Sequence, residues 1–196
     1  MKRTILSLLA ALTFGFAAQA AGPEDGKAFI DGLATQVLSI VKGDADKAAK
    51  QTKIEALFTD KVDINFVAKF VLGKNWRTAT PQQQQDYIAA YKPFILKNYA
   101  SKLTKYSGQT YTLKGAHDED DSTVVTMVIN DPNGQDVNVD YRLHREGSSF
   151  KIVDIVVEGV SLLNTQRSEF GGIVENKGVD GLIAALKAQV AAKTAN

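Results

Sequence analysis

Asp140, Tyr141 and Asp154 are the residues of this chain best suited to chemistry. A carboxylate and a phenol inside a curved-sheet cone can transfer a proton on a carbonyl substrate, the acid's pKa being raised by burial. Consecutive side chains on an extended strand point to opposite faces, however, which separates Asp140 from Tyr141. The competing assignment is structural, with Asp140 at the surface or hydrogen-bonded, Tyr141 in the core and Asp154 tied to neighbouring backbone. Other candidates are incomplete. Gly159-Val160-Ser161 begins like a nucleophile elbow, but Leu163 stands where the second glycine belongs and no good histidine partner is offered. Gly22-Pro23-Glu24-Asp25-Gly26-Lys27-Ala28 has the wrong spacing for a phosphate-binding loop, lacks the hydroxyl at Ala28 and follows no strand. His117 with Asp118, Glu119, Asp120 and Asp121 offers donors for a cation, yet five polar residues between strands read as a solvated turn. His144 falls on the polar side of its strand, where a surface position is expected. With no cysteine, thiol catalysis, disulfides and thiolate metal sites are excluded. No catalytic residue, metal or cofactor is assigned; a cone-fold enzyme using Asp154 or Asp140 stays as an alternative.

The stretch from Ser122 to Leu163 must organise whatever site exists. Its three β-rich runs are Ser122–Asp131, Gln135–Arg145 and Phe150–Leu163. Asp131-Pro132-Asn133-Gly134 and Glu146-Gly147-Ser148 supply the turns between them. In the middle run Val137, Val139, Tyr141 and Leu143 share one face, and Asn138, Asp140, Arg142 and His144 the other. Lys151–Val157 is apolar on both faces apart from Asp154, which predicts a strand covered on both sides. Tyr106–Leu113 reads as an earlier strand, followed by the polar turn His117–Asp121.

Helical periodicity flanks the sheet. Phe29, Leu33, Val37 and Ile40 or Val41 mark a helix over Pro23–Lys42, with Gly43 as its stop. A second helix, capped by Asp44 or Asp46, reaches Phe58; a third spans Asp63–Leu72 and ends at Gly73. Thr80 as N-cap and Pro81 at the first helical position open the longest helix, to about Leu103. Its apolar stripe is Tyr87, Ile88, Tyr91, Phe94, Ile95, Tyr99 and Leu103, and Pro93 inside it is expected to bend it. Asn164–Asn176 and Val179–Lys193 are closing helices joined at Gly178. The predicted class is α+β: a curved antiparallel sheet of about four strands, roofed by helices into a cone with an open mouth.

Lys2-Arg3, the apolar run Ile5–Ala18 and Ala18-Gln19-Ala20 have the form of a signal peptide, with cleavage expected after Ala20. Residues 21–196 then form one domain, exported, and periplasmic in a Gram-negative source. Removing Lys2 and Arg3 leaves 21 basic residues against 22 acidic ones, so no broad surface attracts a polyanion and nucleic acid is excluded as a partner. No internal repeat or long linker divides the chain, and a monomer is expected.

Val71-Leu-Gly-Lys-Asn-Trp76-Arg-Thr-Ala-Thr-Pro81, Tyr87 to Tyr91, Tyr106-Ser-Gly-Gln-Thr-Tyr111 and Asp131-Pro-Asn-Gly134 form an ordered set. It continues with Glu158-Gly-Val-Ser161, Arg167-Ser-Glu-Phe170 and Lys177-Gly-Val-Asp-Gly-Leu-Ile183. In these residues the chain resembles the MlaC family, periplasmic lipid carriers of the system that maintains outer-membrane lipid asymmetry, also linked to toluene tolerance. Pro23 to Lys61 match only in character. The resemblance implies a cone similar to NTF2-like folds, with a deep apolar cavity that holds the acyl chains of a phospholipid cargo. It also implies exchange with an outer-membrane lipoprotein–porin complex and with an inner-membrane ABC transporter through its MCE-domain subunit. Family resemblance carries no catalytic motif over to this chain. On the sheet face and its roofing helices the lipid-binding set is expected to be Phe66, Phe70, Tyr87, Tyr91, Phe94, Val139, Tyr141, Val156, Leu162 and Leu163. By pattern alone such stripes mean core, or a pocket for another apolar small molecule.

Overall fold

The computed structural model describes residues 21–103 and 106–194, apart from the side chains of residues 101, 102 and 194. The expected signal peptide lies outside them. The chain first forms α1 (Pro23–Lys42), α2 (Lys47–Lys61), α3 (Ile64–Leu72), α4 (Lys74–Thr78) and α5 (Pro81–Leu103). It then forms β1 (Thr110–Glu119), β2 (Ser122–Asn130), β3 (Val137–Glu146), β4 (Ser149–Val157) and β5 (Val160–Ser161), and closes with α6 (Leu162–Thr194). The fold is α+β, with one five-stranded antiparallel sheet in the order β1-β2-β3-β4-β5, curved and unclosed.

Local chemistry explains the helix starts. Asp46 accepts from the Ala49 N–H at 2.8 Å and Asp63 from the Phe66 N–H at 2.9 Å, each satisfying a first-turn donor. Thr80 and Gln83 form a reciprocal capping box: the Gln83 N–H reaches the Thr80 hydroxyl at 3.2 Å, and Gln83 Oε1 accepts from the Thr80 N–H at 3.1 Å. Gly73 ends α3 at φ 58°, a backbone region that L side chains rarely adopt. Pro93 lies inside α5, which runs on through it as one helix. Gly178, at φ 71°, interrupts α6 where two closing helices were expected, so the joint stands as predicted. The helix nevertheless begins at Leu162, taking Leu162 and Leu163 out of the third β run.

The first strand also differs from expectation. Tyr106–Gln109 lie outside it, and β1 extends to Glu119, so His117, Asp118 and Glu119 are strand residues and only Asp120-Asp121 turn. Charge pairing extends the strand. Arg145 ion-pairs with Asp118 at 2.5 Å, and Arg142 with Glu119 at 3.2 Å. The Thr123 hydroxyl donates to Asp118 at 2.7 Å.

The alternation in β3 holds, with Val139 and Leu143 buried and Asn138 exposed. Strand β4 breaks its own alternation. Leu143 pairs with Ile152 but Arg142 with Asp154, so Val153 is an extra residue, a β-bulge. The bulge reverses the phase: Phe150 and Ile152 before it share the Tyr141 face with Ile155 and Val157 after it. Helix α1 crosses that face closely at Gly26, where an added Cβ would sit 2.9 Å from Thr123 Cγ2 and 3.4 Å from Leu143 Cδ1. The main core joins α1, α3, α5 and α6 to this face through Ile30, Val67, Tyr91, Leu143 and Leu182. Beyond the end of α2, Val62 bridges Ile152 in parallel, so the helical layer wraps the β4 edge.

Candidate functional site

The site is built at that wrapped edge. Val62 and Val67, Ile95 and Tyr99, Ile152 to Ile155, and Leu162, Leu163 and Gln166 enclose an apolar pocket of about 40 Å³ together with Phe58. By the ~10–15 Å³ that one water needs, this is space for about three waters, far below an acyl chain. The deep cavity of the sequence reading is thus a narrow apolar seam in this conformation. Five elements meet there, and the polar groups among its walls are few.

Asp154 is one of them, and it is buried. It is held by three donors: the Ser161 hydroxyl at 2.6 Å, the Leu163 N–H at 3.1 Å and its neighbour's Ile155 N–H at 2.8 Å. Ser161 in turn caps α6, its oxygen accepting from the Asn164 N–H at 3.0 Å. A carboxylate on β4 therefore fixes the first turn of α6, and with it the positions of Leu162, Leu163 and Gln166. These bonds match the structural assignment of Asp154, tied to neighbouring backbone. Ser161 serves as a helix cap. Asp140 lies on the opposite face from Tyr141 as alternation required, and accepts from the Thr126 hydroxyl at 2.7 Å.

A second polar chain crosses from α5 to α6. The Tyr91 hydroxyl donates to Gln166 Oε1 at 2.7 Å, and Gln166 Nε2 stands 3.5 Å from the Tyr99 hydroxyl. Burial, then the Asp154 and Glu169 carboxylates, push the Tyr99 pKa up, so its hydroxyl keeps its proton at neutral pH.

Of the ten residues expected to bind lipid, the structure brings Leu162 and Leu163 into this pocket. Tyr87 and Tyr91 are fully buried and pack on each other, with the Tyr87 hydroxyl donating to the Ala68 carbonyl at 3.1 Å. Phe94 is buried against Phe170, and Val139 is buried in the sheet. Tyr141 is half-buried. Its hydroxyl meets Met127 Sδ at 3.9 Å, and burial pushes its pKa up to about 12. Val156 pairs with Asp140, on the face away from Tyr141, because of the bulge; Ile155 takes the place it was expected to fill. Phe66 and Phe70 are half-buried outside the pocket. His144, expected at the surface, packs edge-on against Phe66 with centroids 4.5 Å apart, and Arg167 lies over Phe70 at 4.8 Å. Sequence reasoning missed Gln166 and the β4 segment Ile152–Ile155 as pocket walls. No periodic signal marks a bulge.

Asp118 and Glu119 of the His117–Asp121 cluster are engaged in the ion pairs of β1, and among the described residues no group of acidic and histidine side chains is placed to hold a metal. No helix among the described residues is long and apolar enough to cross a membrane.

Comparison with known proteins agrees with this architecture. The chain is 24% identical over 187 residues to the toluene tolerance protein Ttg2D of Pseudomonas putida, covering 92% of this chain and 85% of that one. It is 25% identical over 131 residues to the intermembrane phospholipid transport system binding protein MlaC of Haemophilus influenzae, covering 64% of this chain and 61% of the relative. Its fold superposes with a TM-score of 0.75 on the phospholipid-binding protein from Ralstonia solanacearum, solved in complex with a phospholipid. That match is 28% identical and covers 87% of this chain and 99% of the other. The model of the family described as MlaC protein matches residues 31–188, and the chain belongs to the MlaC family.

Proposed function

We propose that this protein is a periplasmic phospholipid carrier, which holds acyl chains between β4 and the helices α2, α3, α5 and α6 and leaves the head group in water. The observation that carries the reading is the shared fold with a family member solved with phospholipid bound, joined to an apolar seam between β4 and the helices that wrap it. The seam admits cargo only when its walls part. The Asp154 bonds hold the start of α6 on β4, so the pocket enlarges by movement of the facing wall, Phe58, Val62 and Val67, without unfolding the sheet.

Energetics favour a shuttle. Burying a methylene is worth ~0.8 kcal/mol against water, so two long chains represent on the order of 20 kcal/mol. Release into water is therefore very slow, whereas transfer between a bilayer and an apolar pocket is nearly balanced. Exchange then requires direct docking, which we assign to an outer-membrane lipoprotein–porin complex and to the MCE-domain subunit of an inner-membrane ABC transporter. The test is lipid extraction and mass spectrometry of the mature protein purified from the periplasm. Near-stoichiometric phospholipid is expected; a stable, lipid-free protein that also fails to load from detergent would overturn the reading. Rapid transfer from isolated protein to bare vesicles would count against the docking requirement.

A further inference from the structure

The pocket wall has an unusual charge composition. Its polar members are Tyr99, Asp154 and Gln166, and none of its lining side chains is a lysine, arginine or histidine. An anionic group drawn inside would lose water and meet the Asp154 carboxylate with no compensating cation. An uncharged acceptor faces a different environment. The Gln166 amide is oriented by Tyr91, whose buried hydroxyl needs an acceptor and finds Oε1 at 2.7 Å. Nε2 is thereby turned toward the seam, where its contact with the Tyr99 hydroxyl, at 3.5 Å, is at the limit of a hydrogen bond. An amide donor so placed has room for a better acceptor.

We infer that the Gln166 amide forms a subsite for the ester carbonyl of a bound acyl chain, and that Asp154 makes the same pocket reject a free carboxylate. The inference rests on the proposed phospholipid reading and deepens it: the cargo is selected as an ester, not merely as an apolar chain. A fatty acid of equal chain length presents its charge at the depth where the ester sits, against Asp154. A diacyl lipid presents a neutral carbonyl to the amide donor there and carries its charge outside, with the head group.

The test loads the mature protein by dilution from detergent with an equimolar mixture of dioleoyl phosphatidylcholine and oleic acid, and reads both bound species by mass spectrometry after re-isolation. Wild type is expected to hold the phospholipid well in excess of oleate. Gln166→Glu keeps the acceptor for Tyr91 while removing the amide donor, and should lower phospholipid occupancy about three- to tenfold, the worth of one hydrogen bond. Asp154→Asn should raise the oleate share several-fold while circular dichroism shows the fold retained. If all three proteins load phospholipid and hold the two lipids in one unchanged ratio, the ester subsite is refuted and the carrier reading stands. If wild type takes up neither lipid, the carrier reading fails first and the subsite with it.

Discussion

Replacing Asp154 by alanine tests whether the β4 carboxylate holds the first turn of α6. The change removes the acceptor for the Ser161 hydroxyl at 2.6 Å and for the Leu163 N–H at 3.1 Å. Hydrogen bonds to a charged acceptor are worth about 1.5–3 kcal/mol each, and the buried Leu163 donor is left without a partner. Because the bonds share one carboxylate and Ser161 can turn toward water, the sum is not additive, and the loss should be about 3–5 kcal/mol. At an m-value of about 2 kcal/mol/M, the midpoint of urea unfolding should fall by about 1.5–2.5 M, with the slope unchanged. Asp154→Asn is the control. Its carbonyl still accepts from Leu163 and its amide can donate to Ser161, which has a lone pair beyond the one used by Asn164, so it should lose only about 1–2 kcal/mol. The reasoning is refuted if alanine unfolds within about 0.5 kcal/mol of wild type, or if asparagine is as damaging as alanine.

Gly26→Ala should destabilise despite the helix propensity it gains, about 0.5–1 kcal/mol. Thr123 cannot turn its Cγ2 away without breaking its 2.7 Å bond to Asp118, so overpacking of about 1–3 kcal/mol prevails. Thr123→Ser in the same background removes the obstructing methyl and should recover about 1 kcal/mol or more in a double-mutant cycle; additive losses would show that the contact relaxes elsewhere. Alkaline stability follows from the tyrosines. Burial raises the pKa of Tyr87, of Tyr91 (with nearby Tyr87 and Tyr99) and of Tyr141, the last to about 12, above their ordinary 10.0. A folded-state pKa above the unfolded one gives stability that is complete below pH 10 and is lost as pH rises from there through the folded value. Phenolate absorbance should therefore show these rings ionising together with cooperative unfolding, and their ionisation near pH 10 in a still-folded protein would refute the burial argument.

What the sequence revealed depended on whether the signal was local. Asp46 and Thr80 announce helix starts because a side-chain oxygen before a run of free N–H groups has one favoured use, and each was found capping. The β3 alternation was legible because the strand is regular over its length. The β1 boundary was not, since Asp118 and Glu119 look like turn residues until Arg145 and Arg142, more than twenty positions away, neutralise them.

The site was the least legible part for the same reason. Its walls depend on one inserted residue, Val153, whose presence shows only in the pairing of Leu143 with Ile152 and Arg142 with Asp154. Strict alternation would put Ile152, Asp154 and Val156 on one face. The bulge instead leaves Ile152 and Ile155 on the face of Tyr141 while Asp154 turns to meet the start of α6. A strand carrying a carboxylate among six apolar neighbours thus buries that charge against helix N–H donors rather than exposing it. The same phase change brings four consecutive β4 residues to the pocket, which a regular strand with side chains on alternate faces would not do. Deleting Val153 would restore alternation with Asp154 still paired to Arg142, and would take away the extra wall residue that lets four consecutive β4 residues line the pocket, so the bulge shapes this pocket together with Ile95 and Tyr99 of the α5 stripe.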